Sequence, residues 1–315
     1  MRTEMLDSSI KPKAAVLLST FNGAKFLQQQ LDSLVIQEDV DVQVFARDDG
    51  STDNTEEILG RYAVYWPQLA HSAGGRNLGP AGSFLDLLFN APDTYDFYAF
   101  CGQDDVWLST KLARACRRLT EAATDRPGLY CSSVMCVDET LRPLGRRSIG
   151  GDASFQHLLF ENIAYGTTVV LNAQARILIA SRRPEAGVIM HDWWCALCAS
   201  AFGMIVRDDQ ANVLYRQHGA NVLGSSPNRL KEIYGRLLRF LRNPRGFYPV
   251  HAQAEAFNLA FGEHLDATQK VVLQEFLGSR KSLASRLHFA LSGKLKHSGL
   301  VGGVAAKILV ILGLY

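Results

Sequence analysis

Ala14-Ala15-Val16-Leu17-Leu18-Ser19-Thr20, turning at Phe21-Asn22-Gly23 and running on through Phe26, Leu27, Gln30, Leu31, Leu34 and Val35, is the stretch that decides the fold. The apolar run is too continuous for a one-sided antiparallel strand and suits a parallel strand buried on both faces. The apolar positions after the turn recur at helical spacing, so they predict an amphipathic helix lying on the sheet. A βα unit therefore opens the chain.

The unit recurs downstream. Val42 to Arg47 reads as a second strand, and Asp53 to Tyr62 as a helix with Asp53 and Glu56 at capping-box spacing. Gly79, Pro80 and Gly82 precede a third apolar helix, Phe84 to Phe89. Phe97 to Cys101 is the next buried strand, followed by a helix from Ser109 to about Ala122 with Ser109 or Thr110 as its cap. Strands alternating with helices predict an α/β fold with a Rossmann-like, mostly parallel sheet flanked by helices. Past Leu129 to Val137 the alternation loosens into a Gly/Arg-rich loop, Pro143 to Asp152. Short elements around 167–171, 192–201 and 213–217 then complete the same sheet. From Asn228 the pattern turns helical and basic, which divides the chain into a 1–225 domain and a 226–315 helical extension.

Composition narrows the function classes. Over 315 residues, 47% hydrophobic and 20% charged side chains make an ordinary folded balance, not a disordered or polytopic chain. A formal charge of +2 is too near neutral for bulk nucleic-acid binding. Six cysteines are too few for a disulfide scaffold and read as reduced thiols. Met1 to Lys13 carries no apolar run of the secretory kind, so a cytoplasmic location is expected.

In an open parallel sheet, ligands bind beyond the carboxyl ends of the strands. Here those exits are acidic: Asp48-Asp49-Gly50-Ser51 after the second strand, and Gln103-Asp104-Asp105-Val106-Trp107 after the strand ending at residue 101. Two pairs of adjacent carboxylates at one rim repel each other unless a cation or ligand donors neutralise them. A turn with a helix cap competes at Asp48 to Asp53; at Asp104 and Asp105 the apolar flanks argue against simple solvation. The natural reading is a divalent-metal site that also grips a diphosphate, since Mg2+ takes one or two carboxylates and completes its shell with phosphate oxygens and water. Ser19 to Gly23 provides neither the G-x-G-x-x-G of a dinucleotide enzyme nor a P-loop.

Six strings in order, LSTFNGAKFLQQQLDSL, RDDGSTDNT, NLGPAGSF, FYAFCGQDDVWLSTKL, HDWW and LYRQHGANVLG, cover residues 14 to about 224. They resemble the inverting family 2 glycosyltransferases of GT-A fold, and among them the rhamnosyltransferase-like enzymes of bacterial polysaccharide assembly, O-antigen included. The resemblance implies a nucleotide-diphosphate sugar donor, dTDP-rhamnose, a cell-surface polysaccharide or lipid-linked glycan acceptor, and Mg2+ or Mn2+ as cofactor. It implies that Thr20, Asn22, Asp48 and Asp49 line the base and ribose pocket, with Arg76, Asn77 and Gln103 near the diphosphate and donor sugar. Asp104 and Asp105 match the acidic metal motif, with Arg216 and His218 expected near diphosphate and metal, and Asp192 matches the catalytic base. The group commonly reads C-D-Q-D-D where this chain has Cys101-Gly102-Gln103-Asp104-Asp105, which implies retained but weakened metal binding.

Several residues carry two readings. Asp192 is equally suited to capping a helix before Trp193 and Trp194; His191 reads as packing. Trp193 and Trp194 offer faces on which an acceptor sugar stacks, with core packing as the competing use. Cys195-x-x-Cys198 has the spacing of a redox or zinc motif, yet no further Cys/His cluster completes it, and small core residues are the expected role. Arg236, Arg239 and Arg242, with Lys294, Lys296 and the apolar 299–315 stretch, suit peripheral contact with an anionic membrane, or else a solvated helix face. Two rivals remain at this stage: a catalytically weakened sugar-binding subunit, motivated by Gly102, and a sugar-phosphate nucleotidyltransferase, whose glycine-rich basic loop is absent after the first strand.

Overall fold

The structure is a computed structural model that describes residues 11–73, 75–123, 125–218 and 250–315. The expected division near residue 225 and the Arg236, Arg239, Arg242 stripe lie outside the described residues. The chain begins β1 (Lys13–Thr20), α1 (Leu27–Val35), β2 (Asp41–Asp48), α2 (Thr55–Tyr65), β3 (Leu69–Ala73) and α3 (Gly79–Asn90). It continues through β4 (Phe97–Cys101), β5 (Val106–Trp107), α4 (Lys111–Ala122), β6 (Gly128–Ser132), β7 (Val134–Val137) and β8 (Pro143–Arg147). Then come α5 (Phe155–Leu158), a 3-10 turn Gly166–Thr168, β9 (Val170–Asn172), α6 (Ala173–Ala180), α7 (His191–Phe202), β10 (Met204–Asp208) and β11 (Val213–Arg216).

Seven strands form the main sheet in the order β10-β6-β9-β4-β1-β2-β3, and only β9 runs antiparallel to its neighbours. β1 sits near the centre, and its apolar run divides between the two faces. Ala15 and Leu17 join one core cluster; Ala14, Val16 and Leu18 join the other, all fully buried. That is why the sequence does not alternate. Thr20 pairs in register with Asp48, and Leu18 with Cys101, so the exits of β1, β2 and β4 open on one rim.

The second half adds β6, β9 and β10 to this sheet as expected, but it also builds a second sheet, β5-β11-β7-β8. The stretch read as loop at Pro143 supplies β8, a mostly exposed strand antiparallel to β7. One cap position also differs from expectation. Asn54, not Asp53, precedes α2; Asp53 instead accepts from the Thr55 and Ala24 amides. Thr110 precedes α4 as expected, but its side chain makes no cap bond, and Gln37 Oε1 accepts from the Leu112 amide at 3.2 Å instead.

Four helices close the described chain: α8 (Val250–Phe261), α9 (Ala267–Gly278), α10 (Leu283–Leu291) and α11 (Leu300–Leu312). Asp266 and Gln269 form a reciprocal capping box at the start of α9. Phe257, Phe276, Phe289 and Val310 belong to the same apolar cluster as Leu17, Phe100 and Trp194. Among the described residues no helix is long and apolar enough to cross a membrane.

Candidate active site

The β1 and β2 exits are bound to each other by side chains that sheet register brings together. Asp48, buried at the end of β2, takes the Thr20 hydroxyl at 2.8 Å and the Ser51 hydroxyl at 2.6 Å on Oδ1, and the Gly50 and Ser51 amides on Oδ2. Asn22, at φ +50°, donates its amide to Ser51 Oγ and accepts the Thr52 amide on Oδ1. Asp49 pairs with buried Arg47 and receives the Leu78 and Gly79 amides, holding the start of α3. Asn77 ties the same turn by donating to the Asp49 carbonyl, while Arg76 lends its carbonyl to Arg47 and leaves its side chain exposed. The repulsion anticipated at this pair is thus removed inside the protein, by a guanidinium and backbone donors.

The β4 exit differs. Gln103 clamps both backbone polar groups of Phe21, accepting from its amide at 2.7 Å and donating to its carbonyl at 2.9 Å. The approach is so close that a Cβ at Gly23 would lie 2.2 Å from Gln103 Oε1, which requires glycine there. Asp104 keeps its carboxylate 28% exposed, and His218 Nε2 lies 2.8 Å from its Oδ2. Asp105 is turned inward, where Oδ1 accepts the Arg216 amide at 3.0 Å and Thr167 lies beside the carboxyl. Burial first, and the Asp104 charge second, hold Asp105 well above the usual carboxylate range. The expectation that Asp105 is a direct metal ligand is corrected by this inward orientation.

Arg216 is likewise displaced from its expected place. It is fully buried, stacks 4.4 Å over the Phe26 ring, and donates to the Asp104 carbonyl, the Glu139 carbonyl and Gln29 Oε1. It braces the loops around the acidic motif from beneath, and does not face the rim.

Asp192 lies in the first turn of α7, one residue inside the helix and not at its cap, which is Met190. Its Oδ1 accepts the Trp193 amide at 2.7 Å, and Asn162 and Gly166 lie beside the carboxyl. Burial pushes Asp192 up to about 6. Gly166 lies against Asp192, where a Cβ would stand 3.4 Å from Oδ2, and its neighbour Thr167 lies beside Asp105, so adjacent residues of one 3-10 turn flank the two acids. Tyr215 senses the convergence: after burial, the charges of Asp105, Asp104 and Asp192 raise its phenol. Gly166, Thr167 and Tyr215 were not singled out from sequence; a Gly-Thr-Thr turn and a strand tyrosine have no distinctive pattern.

The tryptophans need correction as acceptor platforms. Trp194 is completely buried against Phe257 and Phe261, and Trp193 is buried with its Nε1 donated to the Leu158 carbonyl, so neither ring face is open to a sugar. His191 packs between Phe84 and Phe100, and burial lowers it to about 3, which keeps it neutral. Cys195 and Cys198 are buried free thiols.

With that geometry in place, the similarity to known proteins becomes informative. Residues 15–168 match the profile of Glycosyl transferase family 2, a span that includes β1, both acidic exits and the 3-10 turn. Residues 15–168 are a glycosyltransferase family 2 domain. The chain is 29% identical over 222 residues to the dTDP-rhamnosyl transferase RfbG of Shigella flexneri, covering 66% of this chain and 74% of that one. An uncharacterized Mycobacterium tuberculosis protein is 26% identical over 219 residues, 67% of this chain and 61% of its own length. The fold resembles S. aureus TarS 1–349 in complex with UDP-GlcNAc, with a TM-score of 0.59 and 19% identity over 95% of this chain and 81% of that one. The family 2 domain therefore has the GT-A architecture, and Asp192 with the C-terminal helices follows the matched segment in the chain.

Among the described residues no three His, Cys, Asp or Glu side chains converge as a metal site. The fold does bring Asp104 of the family 2 domain and His218, beyond it in the chain, face to face at the rim, and a Mg2+ or Mn2+ ion needs no more than one or two protein ligands when diphosphate and water complete its shell. The donor set fits such an ion.

Proposed function

We propose that this glycosyltransferase transfers L-rhamnose from dTDP-rhamnose, with inversion and with a divalent cation, to a cell-surface polysaccharide or lipid-linked glycan at the inner face of the cytoplasmic membrane. The sugar rests on the similarity to RfbG. The observation that carries the chemistry is the 3-10 turn whose adjacent residues flank Asp192 and Asp105, because it links a raised, buried carboxylate to the acidic exit of β4.

In this reading the acceptor hydroxyl gives its proton to the Asp192 carboxylate as its oxygen attacks the anomeric carbon. The bond from that carbon to the diphosphate breaks, and the electron pair leaves on the diphosphate. Asp104 and His218 would hold the cation, which when bound supplies charge neutralisation for the leaving group. Asp48, Asn22 and Thr20 shape the wall on which the nucleotide rests, their polar atoms already fixed by one another. Preorganised donors of this kind cost no reorganisation during the reaction.

Donor hydrolysis tests the reading. With Mn2+ present, dTDP-rhamnose is expected to be consumed faster than UDP-GlcNAc or GDP-mannose, with inverted configuration in the product. Preference for another donor would replace the sugar, and binding without turnover of any donor would favour the binding-subunit rival.

A further inference from the structure

Sixteen large apolar side chains are exposed among the described residues, and eight of them fall within residues 250–315. Six of those eight form two regular stripes. Leu283, Leu287 and Leu291 on α10, and Val304, Ile308 and Leu312 on α11, each recur every fourth residue and so run along one face of their helix. The two helices pack against each other, and their opposite faces, through Phe289 and Ala290 and through Ala306 and Val310, enter the same core cluster. Both stripes therefore look outward from one layer.

Charge distinguishes the occupants this surface can take. From residue 276 to residue 315 the sequence contains Arg280, Lys281, Arg286, Lys294, Lys296 and Lys307 but no aspartate or glutamate. Lys294 and Lys296 are drawn to Glu275 and Asp152 elsewhere on the fold, whereas Lys281 lies in the turn leading into α10 and Lys307 immediately precedes Ile308. A second copy docking face to face would bring like charges together. Apolar stripes bordered by cations match the boundary between anionic headgroups and acyl chains.

We propose that the outer face of α10 and α11 is a docking surface for an anionic lipid bilayer, with Leu287 and Ile308 entering the headgroup boundary while Lys281 and Lys307 meet lipid phosphates. The contact is peripheral and does not depend on which sugar the enzyme transfers.

Co-sedimentation of the full chain with vesicles of phosphatidylcholine alone, or mixed with phosphatidylglycerol, tests it. The wild type is expected to bind the mixed vesicles at low salt and to be released as salt rises. Lys281→Gln with Lys307→Gln should weaken partitioning about tenfold or more, as should Leu287→Ser with Ile308→Ser. All four positions lie outside the catalytic rim, so melting temperature and donor hydrolysis should stay at wild-type levels. Loss of sedimentation with hydrolysis retained supports the surface whatever the donor proves to be. Absence of binding, undiminished binding by either double variant, or a wild-type dimer that the serine variant dissociates would overturn it.

Discussion

Two pairs of adjacent aspartates leave parallel strands on the same rim, and the fold treats them in opposite ways. Asp48 and Asp49 are wholly engaged by hydroxyls, amides and Arg47. At the other exit Asp105 is turned inward and only Asp104 keeps an outward carboxylate, facing His218. Identical sequence signals thus become an internally bonded scaffold at β2 and, at β4, a carboxylate left open at the rim. What separates them is the supply of donors: the Gly50 and Ser51 amides meet Asp48 and the Leu78 and Gly79 amides meet Asp49, whereas among the described residues the loop after β4 gives Asp104 none.

The sharpest way to break this division is to remove charge at each acid while keeping its shape. Asp192→Asn should lower kcat about a thousandfold with donor affinity retained, measured as transfer rate against donor KM. Because burial pushes Asp192 up to about 6 and the proposed base must be deprotonated, wild-type kcat should fall about tenfold per pH unit below 6 and level off above it. The same upward shift means that ionising Asp192 opposes folding: its contribution to stability is greatest below its ordinary range and is lost as pH rises through about 6.

Asp49→Asn leaves buried Arg47 with only the more exposed Asp86 carboxylate, 3.3 Å away, to balance it and should cost about 3 kcal/mol of stability, read from denaturant unfolding. If it instead lowers turnover with the unfolding midpoint unmoved, the β2 pair is catalytic and the contrast fails. Asp104→Asn should do the reverse: roughly a hundredfold loss of kcat, a steeper Mn2+ requirement, and an unchanged melting temperature. The smallest effect is expected at Gly102, whose Cβ would stand 3.2 Å from Asp104 Oδ1. Gly102→Asp should tighten apparent Mn2+ affinity a few-fold by adding a carboxylate beside Asp104; unchanged titration would mean that position 102 lies outside the cation's reach.

Much of the fold was legible because burial on both faces of β1 writes itself into the sequence as an unbroken apolar run. The strand β8 was not, since Pro-Leu-Gly-Arg-Arg is an exposed edge whose one large apolar side chain, Leu144, is itself exposed and gives no alternation. The acids were legible as a group; their separate duties were not, because those depend on partners distant in the chain. Asp192 and Asp105 are 87 positions apart in the sequence, and what joins them is a turn whose residues are common anywhere. Arg216 and the two tryptophans were misassigned for a related reason. Cationic and aromatic side chains suit ligands and interiors alike, and only the packing of Phe26, Phe257 and Phe261 decides between them.

The inward course of Arg216 has an awkward corollary for anyone sorting variants by phenotype. Its guanidinium is a keystone under α1, the Asp104 loop and the segment around Glu139 at once. A survey that records only whether sugar is transferred would rank positions 192 and 216 together, although one loss silences an assembled enzyme and the other takes its floor away.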